Sequence, residues 1–198
     1  MNTVKELLVA VTGASGTIYA DRLLRRVVPL VERVGLVLTP QGAEMAAHEL
    51  GWAVDFDTLY IEGAPAEVMG RVRHYHPDDL SCRYASGSAA PDAMIVIPCT
   101  VGAAGRIAAG FGDTVISRAA AVCLKERRPL VLVMREAPLN LVDLRNLTSL
   151  AEAGATIMPA SPPFYARPKT TEELADFFVL RVLDQIGLRV DHPGRWPA

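Results

Sequence analysis

The charged side chains between positions 118 and 136 are the residues best suited to chemistry. Arg118 and Lys125 are seven residues apart, so they lie on one face of a helix, two turns from each other. Arg135 and Glu136 directly follow the apolar run Leu-Val-Leu-Val-Met, at the carboxyl end of a predicted buried strand. Charges at such a position are costly unless they are paired or functional. The pattern favours a phosphate site at which Glu136 exchanges a proton, and a structural ion pair is the alternative.

Short loops of glycine and small polar residues indicate a nucleotide beside these charges. The loop at 12–16 lies between a predicted strand and a predicted helix, where glycine allows close backbone approach and the helix start offers free N–H groups to a phosphate. Similar loops lie at 86–88 and at 98–103, the latter after another predicted strand. Ordinary turn chemistry explains each loop taken alone. Their recurrence favours a flat ring with a phosphate tail, and FMN fits better than a dinucleotide.

A dinucleotide dehydrogenase is excluded on two counts. The first loop is not GxGxxG, because the third glycine position falls at Tyr19, and Thr39 follows the second predicted strand where a carboxylate would hold a ribose. Tyr165 and Lys169 match the YxxxK spacing of short-chain dehydrogenases. That motif requires a helix, and the prolines within 162–168 forbid one.

Five further residues are weighed against ordinary structural roles. Tyr165 either reaches a ligand with its hydroxyl or caps the core with its ring. Arg181 interrupts the apolar face of the C-terminal helix, so it either reaches an anion or a neighbouring subunit, or is a plain surface residue. His74 and His76 are two apart in a polar loop, which is weak support for a metal, and no metal site is predicted. Cys99 has no obvious base beside it and is predicted to be a small buried residue.

Strands and helices alternate along the chain in the order that builds a parallel sheet. Apolar runs predict strands at 7–11, 34–38, 93–97, 130–134 and 155–158. Helical spacing predicts helices at 16–33, 41–50, 102–110, 114–124, 139–153 and 171–186, whereas residues 51–84 lack a regular pattern. This alternation is typical of right-handed βαβ crossovers. Residues 1–198 are therefore predicted to form one α/β domain with a doubly wound parallel sheet, whose ligands bind beyond the carboxyl ends of the strands.

Composition excludes several classes of protein. Twenty basic and 22 acidic residues leave a net charge of −2, which provides no field to attract nucleic acid or an anionic membrane. No apolar run reaches the roughly 18–20 residues of a membrane span, and no signal-peptide pattern opens the chain, so we expect a cytoplasmic protein. The mean hydropathy of +0.23, with only 21% charged residues, indicates subunit interfaces. The C-terminal helix, at about 171–187, is expected at one of them.

Several segments together resemble the UbiX-type flavin prenyltransferases. They are VTGASGTIYADRLL, ASGS at 85–88, APDAMIVIPC, RAAAVCLKERRPLVLVMREAPL, GATIMPASPPFY and DFFVLRVLDQIGL, and they span nearly the whole chain. The resemblance implies a three-layer Rossmann-like or flavodoxin-like fold and a dodecamer that needs no metal. It also implies an enzyme that joins the dimethylallyl group of dimethylallyl monophosphate to N5 and C6 of reduced FMN. The product, prenylated FMN, would serve a partner UbiD-type decarboxylase.

The resemblance further implies roles for individual residues. Those expected to hold FMN are Gly13, Ala14, Ser15, Thr39, Ser88, Thr100, Val101, Gly102, Ala103 and Arg135. Those expected around the prenyl phosphate are Lys125, Arg135, Glu136, Tyr165 and Arg181, some of them supplied by a neighbouring subunit, with Arg118 close by. Ser15 would relay a proton near N5, and Glu136 would protonate the leaving phosphate while the cations stabilise its charge.

Four positions depart from the common pattern of this family. Ala89 replaces a frequent aromatic residue, Leu80 stands where some members carry tryptophan, Ala103 replaces a threonine and Thr100 a serine. None of them removes a charged group, so activity is expected, with prenyl-chain selectivity the property affected.

Two other functions compete with prenyl transfer. An FMN-dependent cysteine decarboxylase needs a catalytic histidine, for which His74 and His76 are the mid-chain candidates, and an Asn-rich motif that the sequence lacks. A non-catalytic FMN-binding subunit needs no site for a leaving phosphate. The presence of Lys125, Glu136, Tyr165 and Arg181 therefore argues against it.

Overall fold

Strands and helices alternate along residues 4–190, the part of the chain that the computed structural model describes. The strands are β1 (Glu6–Val11), β2 (Arg33–Leu38), β3 (Ala53–Asp55), β4 (Tyr60–Glu62), β5 (Val72–Tyr75), β6 (Ala93–Cys99), β7 (Leu130–Met134) and β8 (Thr156–Pro159). The helices are α1 (Ile18–Val27), α2 (Pro40–Leu50), α3 (Ala66–Met69), α4 (Val101–Ala108), α5 (Val115–Lys125), α6 (Leu141–Glu152) and α7 (Thr171–Gln185). None of these helices has both the length and the apolar character needed to cross a membrane.

Six of the strands form one sheet in the order β5-β2-β1-β6-β7-β8. Every neighbouring pair in it is parallel. From β1 the chain moves outward to β2 and β5, then returns to β6 on the other side of β1 and continues in the opposite direction. The predicted doubly wound parallel sheet is confirmed, and its switch point lies between β1 and β6.

Helices cover both faces of the sheet because the central strands are apolar on both sides. Leu7, Val9 and Val11 of β1 pack in the same cluster as α1, α2 and α7, whereas Leu8 and Ala10 pack with α4 and α5. All five side chains are buried. Because successive side chains of a strand point to opposite faces, a strand inside such a sheet must be continuously apolar.

Two regions differ from the sequence-based prediction. Strand β5 lies within residues 51–84, where no strand was predicted; it is the edge strand of the sheet, and its exposed Arg73 interrupts the apolar pattern. The antiparallel hairpin of β3 and β4 occupies another part of the same segment. Helix α1 ends at Val27, so the predicted helix end at residue 33 is wrong. Pro29 follows at once, and a proline cannot continue the hydrogen bonding of a helix.

A buried carboxylate holds the amino edge of the sheet together. Glu6 accepts a hydrogen bond from the hydroxyl of Tyr84 at 2.9 Å and pairs with Arg33 and Arg83, each at 3.1 Å. Burial and the negative charge of Glu6 raise the pKa of Tyr84 well above its ordinary value. The Tyr84 ring fills space left by Gly35: a Cβ at that position would stand 2.6 Å from Cε2 of the ring. Glycine at position 35 is therefore a packing requirement.

Replacing Gly35 with alanine is expected to lower the free energy of unfolding by about 2 kcal/mol, because the added methyl group overlaps a fully buried ring. Gly105→Ala in α4 is the matched control. The close neighbour of a Cβ there is the end of the Asn146 side chain at 3.2 Å, so its unfolding energy should stay constant or rise by up to about 1 kcal/mol. Urea unfolding at neutral pH measures both variants. Equal stability of Gly35→Ala and the parent protein would contradict this packing argument.

Candidate active site

The loops predicted to bind the cofactor lie side by side at the carboxyl edge of the sheet, because they follow neighbouring strands. Thr12 joins two of them: its Oγ1 donates to the carbonyl of Pro98 at 2.9 Å and accepts from the amide of Thr100 at 2.9 Å. The amide of Arg135 donates to the carbonyl of Cys99 at 3.1 Å, which joins the next loop. The predicted residues gathered at this edge are Gly13, Ala14, Ser15, Thr39, Thr100, Val101, Gly102, Ala103, Arg135 and Glu136.

A cavity of 290 Å³ lies between the first turns of α2 and α5 and the face of α4 that carries Ala103, Arg106 and Ile107. Thr39 and Thr114, which cap α2 and α5 with their side-chain oxygens, line it together with Ser117. Arg106 is paired with Asp113 and Asp78 also lines the cavity, so the attraction for an anion comes from the starts of α2 and α5. Converging helix starts and hydroxyl groups suit a phosphate, so the cavity fits the phosphate end of a flavin nucleotide.

Three of these lining residues were not among the predicted site residues. Thr114, Ser117 and Arg106 lie on α4 and α5, on the face of the sheet opposite α1. The capping box formed by Thr114 and Ser117 has a visible sequence signal, a threonine directly before an apolar helix. That signal marks a helix start, and its convergence with the start of α2 is visible only in the fold.

Two adjoining cavities beyond β7 and β8 contain most of the predicted phosphate residues. Arg135 and Glu136 line a cavity of 330 Å³, while Tyr165 and Arg181 line one of 510 Å³. The loop at 159–161 contributes to the walls of both. Across residues 4–190 neither Arg135 nor Glu136 forms a salt bridge. The alternative of a structural ion pair is thus not supported, and both charges remain available to a ligand.

Glu49, near the end of α2, binds the start of α1. Its Oε2 accepts from the amide of Gly16 at 2.9 Å, the amide of Thr17 at 2.8 Å and the hydroxyl of Thr17 at 2.7 Å. The hydroxyl of Ser15 also lies within hydrogen-bonding reach of this carboxylate. Burial alone would raise the pKa of Glu49, but the hydrogen bonds outweigh that effect and hold the pKa below its ordinary value.

This contact changes the interpretation of the first loop. The amides of Gly16 and Thr17 were expected to be free for a phosphate, and that expectation is wrong, because Glu49 already occupies them. Sequence reasoning missed Glu49 because 33 residues separate it from the loop and no local pattern connects the two.

Tyr19 occupies the space between the first loop and Arg135. Its ring packs against Phe178 of α7, with the ring centroids 5.1 Å apart. Burial raises the pKa of Tyr19, and the positive charge of Arg135 offsets part of that rise. Gly16, with φ of +96°, leaves room for the ring, since a Cβ there would lie 3.2 Å from it. Tyr19 thereby packs α1 against α7 and lies within the electrostatic influence of Arg135.

Lys125, Arg118 and Ser88 are predicted site residues that one chain does not bring to Arg135 and Glu136. The Nε of Arg118 donates to the carbonyl of Ala85 at 2.9 Å, and Nζ of Lys125 lies 3.0 Å from where a Cβ of Gly87 would stand. Lys125 ends α5, shortly before β7 begins, and therefore lies at the amino edge of the sheet.

Glu136 follows the carboxyl end of β7, so the whole length of that strand separates the two residues. A site that contains both Lys125 and Glu136 must therefore combine residues of different chains.

Histidines and cysteines take no part in this arrangement. His74 of β5 is buried, neither of its ring nitrogens has a hydrogen-bond partner within residues 4–190, and burial lowers its pKa. Burial raises the pKa values of Cys99 and Cys123 to about 12, so neither is an activated thiol. Among the described residues there is no group of three or more His, Cys, Asp and Glu side chains arranged for a metal ion.

Helix α6, more than α7, presents apolar surface to solvent. The buried Phe178 and Val179 of α7 pack within the chain's own core. In contrast, the first turn of α6 leaves Leu141 60% exposed, Val142 64% and Leu144 48%. Clustered exposed apolar side chains are typical of a surface that binds another protein chain.

Comparison with known proteins assigns this site to a family. A family model described as Flavoprotein matches residues 1–183. The flavin prenyltransferase UbiX of Methanothermobacter thermautotrophicus is 39% identical over 197 residues, which cover 99% of this chain and 97% of that protein. The flavin prenyltransferase UbiX of Pseudomonas aeruginosa is 38% identical over 200 residues, which cover 99% of this chain and 96% of that protein.

Solved structures agree with this assignment. The complex of AnUbiX (PadA1) with FMN and dimethylallyl pyrophosphate has a TM-score of 0.85 at 33% identity, covering 98% of this chain and 100% of that one. A dodecameric FMN-dependent UbiX-like decarboxylase from Escherichia coli O157:H7 has a TM-score of 0.86 at 33% identity, with the same coverage. The peptidyl-cysteine decarboxylase EpiD, at 14% identity and a TM-score of 0.61, shares the fold alone. The chain belongs to the UbiX flavin prenyltransferase family of flavoproteins.

Proposed function

We propose that this chain joins the dimethylallyl group of dimethylallyl monophosphate to N5 and C6 of reduced FMN. The observation that carries the proposal is the pair Arg135 and Glu136, which lies at the carboxyl edge between the predicted flavin loops and Tyr165. Neither charge has a salt-bridge partner in the described chain; both are exposed and directly follow the buried strand β7. An allylic phosphate needs a cation and a proton donor at its leaving group, and this pair supplies both.

The residues at the carboxyl edge suit reduced FMN, which supplies the nucleophilic N5 and C6 when bound. The cavity between the starts of α2 and α5 and the face of α4 would hold its phosphate, with Thr39 and the loop at 100–103 on one side. Gly13 and Ala14 would lie against the flavin through their backbone, and the missing Cβ of Gly13 leaves room for Gln41, whose own Cβ would otherwise lie 2.5 Å away. Arg135 and, from the loop at 86–88 of a neighbouring chain, Ser88 would complete the cofactor site.

The cations act on the leaving phosphate. Arg135, Arg181 and Lys125 would stabilise the negative charge that develops as the carbon–oxygen bond breaks, and Glu136 would donate a proton to it. Tyr165 would donate a hydrogen bond to a phosphate oxygen, and Arg118 of a neighbouring chain would lie near the same group. The apolar part of the 510 Å³ cavity, which includes Ile157, Met158 and Phe178, would limit the access of water to the reactive carbon.

Ser15 and Glu49 would handle the proton at the flavin side. The Ser15 hydroxyl lies at the first loop, close to the carboxylate of Glu49. Glu49 also holds Gly16 and Thr17, so this carboxylate shapes the loop that carries the serine. This arrangement supports a proton relay through Ser15, with Glu49 as its second member.

A complete site would require at least two chains. Lys125 and Glu136 lie at opposite edges of the sheet, so a neighbouring chain would supply Lys125 to the Glu136 site. The exposed side chains of Leu141, Val142 and Leu144, which follow the Glu136 loop directly, would contact that neighbour. We extend this to a dodecamer, as in the UbiX-like neighbour from Escherichia coli.

The product would be prenylated FMN, and a UbiD-type decarboxylase would receive it. Three free cysteines, all buried, suit the cytoplasm as the place of this reaction.

Anaerobic incubation with reduced FMN and dimethylallyl monophosphate is expected to yield a flavin that is heavier by one dimethylallyl unit, because the site combines a flavin cavity with cations for a leaving phosphate. Mass spectrometry of the released flavin measures the product. Unmodified FMN that stays bound after long incubation would identify a non-catalytic FMN-binding subunit instead. Release of CO2 from a cysteine-terminated peptide would favour a cysteine decarboxylase.

Glu136→Gln and Lys125→Ala are each expected to abolish turnover while FMN occupancy stays at the parent level. If different chains supply these residues, the two unfolded variants can be mixed in equal amounts and refolded together. About one quarter of the parent activity should return, because one site in four receives both native side chains.

The control mixture pairs Glu136→Gln with Arg135→Ala. These residues come from the same chain, so this mixture should stay inactive. No recovery in the first mixture from oligomers of parent size would contradict the shared site.

Glu49→Gln is expected to lower the free energy of unfolding at pH 7 by about 1 kcal/mol, since three hydrogen bonds to a charged acceptor weaken at a partly exposed site. The low pKa of folded Glu49 stabilises the protein above the ordinary glutamate pKa of about 4.3, and this contribution disappears as the pH falls through the folded value. The difference between variant and parent should therefore shrink at acid pH. Urea unfolding from pH 7 downward tests this, with Glu44→Gln on the same helix as the control. A difference independent of pH would refute the role given to the charge.

A further inference from the structure

We propose that Asp176 is a positioning residue for Arg181, acting through an ionic clamp between α7 and α1. The inference rests on the proposed function, in which Arg181 binds the phosphate of the prenyl substrate. It adds a residue outside the cavity walls whose carboxylate sets where the Arg181 guanidinium stands.

The clamp consists of one carboxylate and two guanidinium groups. Arg22 donates to both oxygens of Asp176, from Nε to Oδ1 at 2.8 Å and from Nη2 to Oδ2 at 2.6 Å. Arg26, one turn further along α1, donates from Nη2 to Oδ2 at 2.7 Å. The side chain of Asp176 is only 14% exposed and that of Arg22 only 23%. A two-point arginine–carboxylate contact fixes orientation as well as distance.

The two helices that the clamp joins belong to the two halves of the site. Helix α1 begins at Ile18, directly after the loop of Ser15 that Glu49 holds. Helix α7 contributes Phe178 and Arg181 to the 510 Å³ cavity. The ring of Tyr19, one helical turn before Arg22 on α1, packs on Phe178, which lies two residues after Asp176 on α7. The clamp therefore sets the position of α7 relative to the first flavin loop.

Arg181 depends on the helix for its position because its own side chain is weakly held. It is 58% exposed, and its contact with Asp184, one turn along the same helix, is 3.9 Å long. That contact cannot orient the guanidinium towards the cavity, since both residues move with α7.

Apolar packing holds α7 against the core, and the clamp adds a directional contact to it. Val179, Val182 and Leu183 are fully buried, and hydrophobic contacts of this kind are non-directional. A partly desolvated ion pair adds little net stability, since the loss of hydration opposes the attraction. Burial would raise the pKa of Asp176, yet hydrogen bonds from Arg22 and Arg26 hold it below its ordinary value, so the clamp stays charged at neutral pH. Its main effect is on geometry.

A double-mutant cycle on substrate binding tests this role. Parent, Asp176→Asn, Arg181→Ala and the double variant are loaded with oxidised FMN, which permits binding of dimethylallyl monophosphate without turnover, and titrated by calorimetry. Asp176→Asn should weaken binding about 5- to 10-fold when Arg181 is present and less than about 2-fold when it is absent. Glu172→Gln, an exposed carboxylate on the same helix, is the control and should leave binding unchanged.

The outcomes separate this inference from the proposed function. An equal loss of affinity with and without Arg181, or a lower melting temperature with unchanged affinity, would show a purely structural clamp and overturn the inference. Parent protein that loads FMN but does not bind dimethylallyl monophosphate would overturn the proposed substrate, and the clamp's role with it. If Asp176→Asn does not fold, Arg26→Gln removes one of the three hydrogen bonds and should give a smaller loss of affinity with the same dependence on Arg181.

Discussion

All strands of the main sheet run in one direction, and this constraint decides where chemistry can take place. The carboxyl ends of parallel strands share one edge, and the helices that return the chain begin at that same edge. The direction of the strands is therefore enough to bring together the loops expected to bind the cofactor, the helix starts, and the charged pair Arg135 and Glu136. The reversal of strand order between β1 and β6 opens the crevice in which Thr12 joins neighbouring loops.

Charged side chains are paired at the amino edge of the sheet but not in the Arg135 and Glu136 pair at its carboxyl edge. At the amino edge, Glu6 is surrounded by two arginines and a buried tyrosine, which neutralise it within the chain. At the carboxyl edge, Arg135 and Glu136 lack salt-bridge partners among residues 4–190, and the cavities beside them open to solvent. Lys125 lies at the other edge, so a site that combined Lys125 with Glu136 would take the two residues from different chains.

The central strands could be predicted from the sequence, and of the two edge strands β8 could be predicted and β5 could not. Strands such as β1 and β7 are buried on both faces, so each, apart from Glu6 at the start of β1, is a continuous apolar run that needs no context to be identified. Strand β5 has one free side and carries Arg73, and it pairs only because β2 lies beside it. The end of α1 was misplaced because apolar spacing continues past Val27, although Pro29 stops the helix.

The sequence by itself determined which residue types follow each strand. It therefore identified the glycine and serine of the loop after β1, and Arg135 and Glu136 directly after β7. These are local properties, since a strand's carboxyl end is known once the strand is known. Only the tertiary structure decided that Glu49 accepts hydrogen bonds from the start of α1 and that Asp176 of α7 pairs with Arg22 and Arg26 of α1. It also decided that Lys125 and Glu136 lie at opposite edges of the sheet. Each of these depends on contacts between segments far apart in the chain, whose partners are set by packing and strand order and leave no local pattern in the sequence.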